Sequence, residues 1–186
     1  AAILGVGRMG EAICYAMHKL GFYVVGVDSS EHAATSFRSY IGGPEGTFYL
    51  TDDNKSWDRA LRFEEPDVVI SSLPYHQTKV LAKWCIDNSL RYCDLGGRVD
   101  VSRDINDYSR EVNKSPVMTD LGLAPGWVNI LAERGCSEVH GTPSTVKMRV
   151  GGLPYFRVSS KDNPLRYELT WSMDGLINEY KDDCEI

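Results

Sequence analysis

Ala2-Ile3-Leu4-Gly5-Val6-Gly7-Arg8-Met9-Gly10 is an apolar run that opens into three glycines spaced G-x-G-x-x-G, and its surroundings decide the fold. Ala2 to Leu4 reads as a short strand. Glu11 to Leu20 carries Ala12, Ile13, Ala16, Met17 and Leu20 on one helical face, the spacing of an amphipathic helix. Gly21 stops that helix in the favoured place just past its end. Phe22 to Val27 is a second apolar strand, closed by Asp28, eighteen residues beyond Gly10. Strand, glycine turn, helix, strand and acid in this register predict a dinucleotide-binding β-α-β unit.

Each glycine has a physical task in that pattern. Gly5 permits the tight turn, Gly7 lets backbone approach a pyrophosphate, and Gly10 lets the helix pack close to the strand. Arg8 and Met9 open the helix, whose amides face the phosphates with the positive end of the dipole. Asp28, with Ser29 beside it, is placed to take the ribose hydroxyls. An acid there repels a 2′-phosphate, and Ser29-Ser30 supply no arginine to welcome one, so NAD is expected over NADP. Asp28 also suits a helix N-cap for the segment after Ser30, a task Ser29 or Ser30 serves equally well.

The alternation of helix and strand continues. Glu31–Tyr40, Lys55–Phe63, His76–Asn88 and Val101–Asn113 read as helices. Between them Thr47–Leu50, Val68–Ile70, Leu90–Cys93 and Val117–Thr119 read as strands. Near-continuous apolar strands such as Val68-Val69-Ile70 are those of a parallel sheet covered on both faces. Ligands of such sheets collect at the carboxyl ends of the strands. This makes Ser72, Leu73 and Pro74 cofactor candidates, with Asp52 at the adenine edge. Past Leu121 the texture changes: a turn, a helix over Trp127–Cys136, two strand-like stretches at Thr145–Val150 and Arg166–Trp171, and a short helix over Asp174–Tyr180. The expected architecture is α/β, a Rossmann-type doubly wound parallel sheet over residues 1–122, followed by the start of a second α+β substrate domain over residues 123–186.

Bulk properties narrow the field. Of 186 residues, 20 are basic and 26 acidic, for a net charge of −6. No basic block appears, which argues against a nucleic-acid partner. No apolar run reaches membrane-spanning length, and no signal peptide precedes the first strand. The cysteines at 14, 85, 93, 136 and 184 lack metal-ligand spacing and read as reduced thiols of a cytoplasmic protein. Ala1 already stands at a strand and the chain closes without a stop signal, so a piece of a longer chain is expected.

Several segments together resemble the saccharopine dehydrogenase-like family, which includes lysine 6-dehydrogenase and carboxynorspermidine dehydrogenase. They are the glycine turn, Val69-Ile70-Ser71-Ser72-Leu73-Pro74-Tyr75, Tyr92-Cys93-Asp94-Leu95-Gly96-Gly97 and Asp120-Leu121-Gly122-Leu123-Ala124-Pro125-Gly126. Val150-Gly151-Gly152-Leu153-Pro154 and the segment from Leu169 to Tyr180 are the most particular. The resemblance implies hydride transfer from an amino acid C–N bond to a nicotinamide cofactor, followed by imine hydrolysis. It also implies an amino acid or polyamine-like substrate and a homo-oligomer, a dimer.

Such chemistry needs the amine neutral and a general base nearby. Asp94 is the first candidate, Asp120 the second, and Tyr75 and His76 are placed to relay a proton or orient the substrate. Asp94 equally suits an Asx turn closing the Gly96-Gly97 loop, and Asp120 a turn or cap. Gly151 and Gly152 offer backbone amides as a nest for a substrate carboxylate. Two other readings compete: a sugar or inositol dehydrogenase, and a nucleotide-binding fragment or regulatory module without turnover.

Overall fold

In the computed structural model, residues 1–51, 56–151 and 173–181 are described. Six strands form one sheet: β1 (Ala2–Leu4), β2 (Val24–Asp28), β3 (Gly46–Leu50), β4 (Val68–Ser71), β5 (Arg91–Asp94) and β6 (Val117–Met118). Their order across the sheet is β3-β2-β1-β4-β5-β6, and every pairing is parallel. Parallel neighbours need crossover helices, here α1 (Arg8–Lys19), α2 (Glu31–Tyr40), α3 (Trp57–Glu64), α4 (Tyr75–Asp87) and α5 (Val99–Val112). This is the Rossmann-like strand order, reversing direction between β1 and β4.

Period-2 alternation within each strand splits the interior into two cores. Ala2 and Leu4 face one core, with Val25, Val27, Val69 and Tyr92, under α3, α4 and α5. Ile3 faces the other, with Val24, Cys14 and Phe37, under α1 and α2. Helices therefore cover both faces of the sheet. Leu81 on α4 is 1% exposed at the centre of the first core. We expect Leu81→Ala to cost about 3 kcal/mol in urea denaturation, the usual toll for an unfilled aliphatic cavity; a loss below 1 kcal/mol would mean the core can collapse around it.

Several element bounds differ from the sequence reading for local reasons. The second strand begins at Val24 because the Phe22 amide still closes the end of α1, donating to the Met17 carbonyl at 3.1 Å. It runs on through Asp28, which pairs in register with Leu50. Ser30, not Asp28, caps α2, its hydroxyl accepting from the Ala33 amide. The stretch 145–150, expected as a strand, pairs with nothing among the described residues, and the other expected strand, 166–171, lies outside them.

The chain divides into two units, Ala1–Trp127 and Val128–Ile186. The first holds the whole sheet. The second contains most of α6 (Trp127–Glu138) and, further on, α7 (Met173–Lys181). No helix among the described residues is long and apolar enough to cross a membrane. Cys14 and Cys85 are buried, and desolvation pushes both thiols up to about 12, so neither is a ready nucleophile at neutral pH.

Candidate functional site

The glycine turn is built by close approach. Gly5 has φ +84°, and a Cβ there would stand 2.8 Å from the Ser72 carbonyl oxygen. A Cβ on Gly10 would overlap the Gly5 carbonyl, whose carbon would be 2.8 Å away. The β1-to-α1 turn is thus wedged between its own helix and the end of β4. Gly7 differs: a Cβ there would meet nothing within 4 Å. The space it leaves open belongs to a cleft of about 430 Å³.

That cleft runs along the carboxyl ends of the strands, over the point where the strand order reverses. Gly5, Gly7, Asp28 and Ser29 line it on the β1 and β2 side, and Ser72, Leu73 and Pro74 on the β4 side. Thr51, Trp57 and Gln77 line it as well. Arg8 and Met9 occupy the exposed first turn of α1 beside the lining. Asp52 lies outside the described residues.

Neither α1 nor α4 has a side-chain cap at its start. The start of α1, beside Gly7, is the kind of helix terminus that receives an anion such as the pyrophosphate of a dinucleotide. Asp28 accepts from the Val6 amide at 2.6 Å through one carboxylate oxygen and from the Ser30 amide at 2.9 Å through the other. Each oxygen keeps a second acceptor position, enough to receive ribose hydroxyls. Open space above Gly7, the uncapped start of α1 and an acid at the end of β2 together fit a dinucleotide.

The four proposed catalytic side chains fall into two groups outside that lining. Asp94 is 2% exposed and closes a loop. One of its oxygens accepts from the Gly96 amide at 2.9 Å and the Asp120 amide at 3.0 Å; the other accepts from the Tyr92 hydroxyl at 3.1 Å. Burial raises its pKa above the usual carboxylate range, and the three hydrogen bonds work against that rise. Burial and the neighbouring Asp94 also hold the Tyr92 hydroxyl firmly protonated. Asp120 sits at φ +63°, accepting from Ser102 at 2.8 Å and Thr119 at 3.2 Å. The Asp94 carboxylate therefore ties the ends of β5 and β6 together, and the Asp120 carboxylate ties the end of β6 to α5.

Tyr75 and His76 open α4 immediately after Pro74. The Tyr75 ring lies 5.6 Å from the Arg98 guanidinium and edge-on to the His76 ring. His76 is exposed, its Nε2 3.4 Å from Gln77 Nε2. Ser71 and Thr78 hold the preceding loop, with the Thr78 hydroxyl donating to the Leu73 and Pro74 carbonyls at 3.3 Å. In the second unit Gly151 is exposed, and Gly152 lies outside the described residues.

Thr51, Trp57 and Gln77 escaped the sequence reading as site residues. Trp57 reads as a core position by periodicity, because a half-buried ring at the start of a helix has the same sequence signature whether it faces a core or a ligand. Gln77 had a usable signal, standing in the first turn after a strand-end proline.

A strand order of this kind, with a glycine-cradled cleft at its reversal point, defines a dinucleotide-binding protein. Residues 1–119 match the family described as saccharopine dehydrogenase NADP binding domain. Residues 122–186 match the saccharopine dehydrogenase C-terminal domain. The chain belongs to the saccharopine dehydrogenase family, and its first domain is an NAD(P)-binding domain. It is 33% identical over 117 residues to the mitochondrial alpha-aminoadipic semialdehyde synthase of Rattus norvegicus, covering 61% of this chain and 12% of that protein. It is 31% identical over 133 residues to saccharopine dehydrogenase [NADP(+), L-glutamate-forming] of Saccharomyces cerevisiae, covering 69% of this chain and 28% of the relative. The matched stretch thus covers under a third of the length of either. The apo structure of the yeast saccharopine dehydrogenase shares the fold, with a TM-score of 0.68 at 23% identity over 95% of this chain and 39% of that one.

Proposed function

We propose that the chain is the cofactor-binding part, with the start of the substrate domain, of an NAD-dependent oxidoreductase acting on an amino acid C–N bond. Saccharopine or a lysine-like amine is the substrate class. The observation that carries this reading is the cleft over the glycine turn, with Asp28 at one end and the Ser72-Leu73-Pro74 loop at the other. The family match supplies the reaction class, since the yeast relative is named a saccharopine dehydrogenase.

The bound nicotinamide supplies a hydride acceptor. The chain's own residues bind and orient. The amides at the start of α1 would hold the pyrophosphate, Asp28 would hold the adenosine ribose, and Leu73 would give the nicotinamide side an apolar wall. Asp94 and Asp120 act as positioning residues for the loop between β5 and α5. His76, exposed beside Pro74, is the remaining candidate for moving a proton.

Turnover is tested by NADH formation with saccharopine and with lysine; absence of NADH from both, in a protein that binds NADH, would sink the enzyme reading. A second reading, a nucleotide-binding module without turnover, gains support because Asp94 and Asp120 spend their acceptors on their own loop. NADH binding that persists without hydride transfer is its signature.

NAD preference rests on Asp28, although the yeast relative is named for NADP(+). We expect NADH to bind at least tenfold more tightly than NADPH, because a 2′-phosphate would meet a carboxylate. Asp28→Asn should narrow that gap to within about threefold by removing the charge, while its single oxygen remains an acceptor for one of the two amides, Val6 or Ser30. Calorimetric titration with both cofactors reads it; equal affinities in the wild-type protein would refute the preference.

A further inference from the structure

The sheet order separates the two ends of the cleft. β2 and β3 lie on one side of β1, and β4 and β5 on the other. The acid at the end of β2 takes the adenosine ribose, so lining residues reached from β3 belong to the adenine half. Trp57, the first residue of α3, is such a residue. It is half-buried and packs on the first core. Its ring stands edge-on to Trp84, with centroids 5.1 Å apart at 89°. The Arg62 guanidinium lies 5.1 Å from the Trp84 ring. Trp57 thus lines the cleft while its ring packs against Trp84, which in turn carries the Arg62 guanidinium.

Building on the dinucleotide reading above, we infer that Trp57 is the aromatic wall of the adenine seat, and that the Trp84 and Arg62 pair behind it sets its orientation. A flat apolar face recognises a purine ring by stacking and is blind to its edge groups. This assigns Trp57 a share of cofactor affinity that is specific to the adenine half and independent of nicotinamide chemistry. Its contribution to NADH and AMP should be equal, and its contribution to reduced nicotinamide mononucleotide, which has no adenine, should be nil.

Calorimetric titration of the wild-type protein, Trp57→Phe and Trp57→Leu with NADH, AMP and reduced nicotinamide mononucleotide separates the possibilities. Leucine keeps an apolar side chain against the core and removes the π face. We expect Trp57→Leu to weaken NADH and AMP by about tenfold each, the scale of one base stacked on one aromatic ring. Trp57→Phe should stay within about threefold of wild type, and the mononucleotide should bind all three proteins alike. Circular dichroism checks that each variant is folded, and the phenylalanine variant carries the test if leucine unfolds the domain. NADH binding by Trp57→Leu within twofold of wild type would overturn the assignment of Trp57 alone. An equal loss for all three ligands would overturn it too, marking a structural role. No NADH binding by the wild-type protein would instead bring down the dinucleotide reading and this inference with it.

Discussion

Gly10→Ala should unfold the cofactor seat. A methyl at residue 10 overlaps the Gly5 carbonyl, and that carbonyl has nowhere to go because Gly5 itself is packed against the end of β4. Helix α1 would have to lift from β1, exposing the core around Cys14 and Ile3. Overpacking of this kind costs about 3 kcal/mol, and a displaced turn should reduce NADH affinity by at least about a hundredfold. Gly7→Ala is the matched control. Its methyl meets no protein atom within 4 Å, so stability should change by less than about 1 kcal/mol. The same methyl intrudes where the pyrophosphate must approach, so affinity should still fall tenfold or more. Urea denaturation and NADH titration of both variants decide the matter. A stable, tightly binding Gly10→Ala would sink the packing argument, and normal binding by Gly7→Ala would sink the placement of the pyrophosphate.

Asp94 offers the second large effect, and it separates a base from a strut. Asp94→Ala leaves the Gly96 and Asp120 amides and the Tyr92 hydroxyl without their acceptor in a buried place. The expected loss is about 3 kcal/mol, since buried donors bear the full cost of desolvation. Asp94→Asn keeps an oxygen for the two amides, and its NH₂ can donate to the Tyr92 oxygen, which already reaches the Thr78 carbonyl at 3.4 Å. Asparagine should therefore stay within about 1 kcal/mol of wild type. The sign of the pH dependence follows from the raised pKa of Asp94. The folded state holds this proton more tightly than the unfolded state. Stability from this group is thus full below the unfolded carboxyl value of 3.8 and is lost as pH rises through the folded value. Asp94→Asn should flatten that stretch of the stability–pH curve. Turnover adds a second axis: a general base replaced by asparagine loses about a hundredfold or more in kcat, whereas a positioning residue keeps it. Equal damage from alanine and asparagine to stability would contradict the hydrogen-bond account.

Local chemistry carried much of the fold. Glu31–Tyr40 reads as a helix and is one, because its apolar positions and its Ser30 cap are both short-range signals. The glycine turn is legible for the same reason: three residues without Cβ at fixed spacing have few other uses. Long-range signals fared differently. Phe22 and Tyr23 look like strand residues, yet Phe22 closes the end of α1 and the two are 40% and 45% exposed. Trp57 was the subtlest case, since periodicity marks a residue as apolar-facing without saying what fills the space in front of it.

Spacing and residue type along the chain determined the alternation of helix and strand, the dinucleotide turn and the acid at the end of β2, because each depends on neighbours within a few residues or one β-α-β unit. The tertiary structure alone decided which groups Asp94 and Asp120 bond. They are 26 residues apart, and only the pairing of β5 with β6 brings the amide of one onto the carboxylate of the other. It alone also decided that Trp57 lines the cleft and packs edge-on against Trp84. Whether a carboxylate is a free base or a tied one depends on which donors surround it in space, and residue order does not contain that distance.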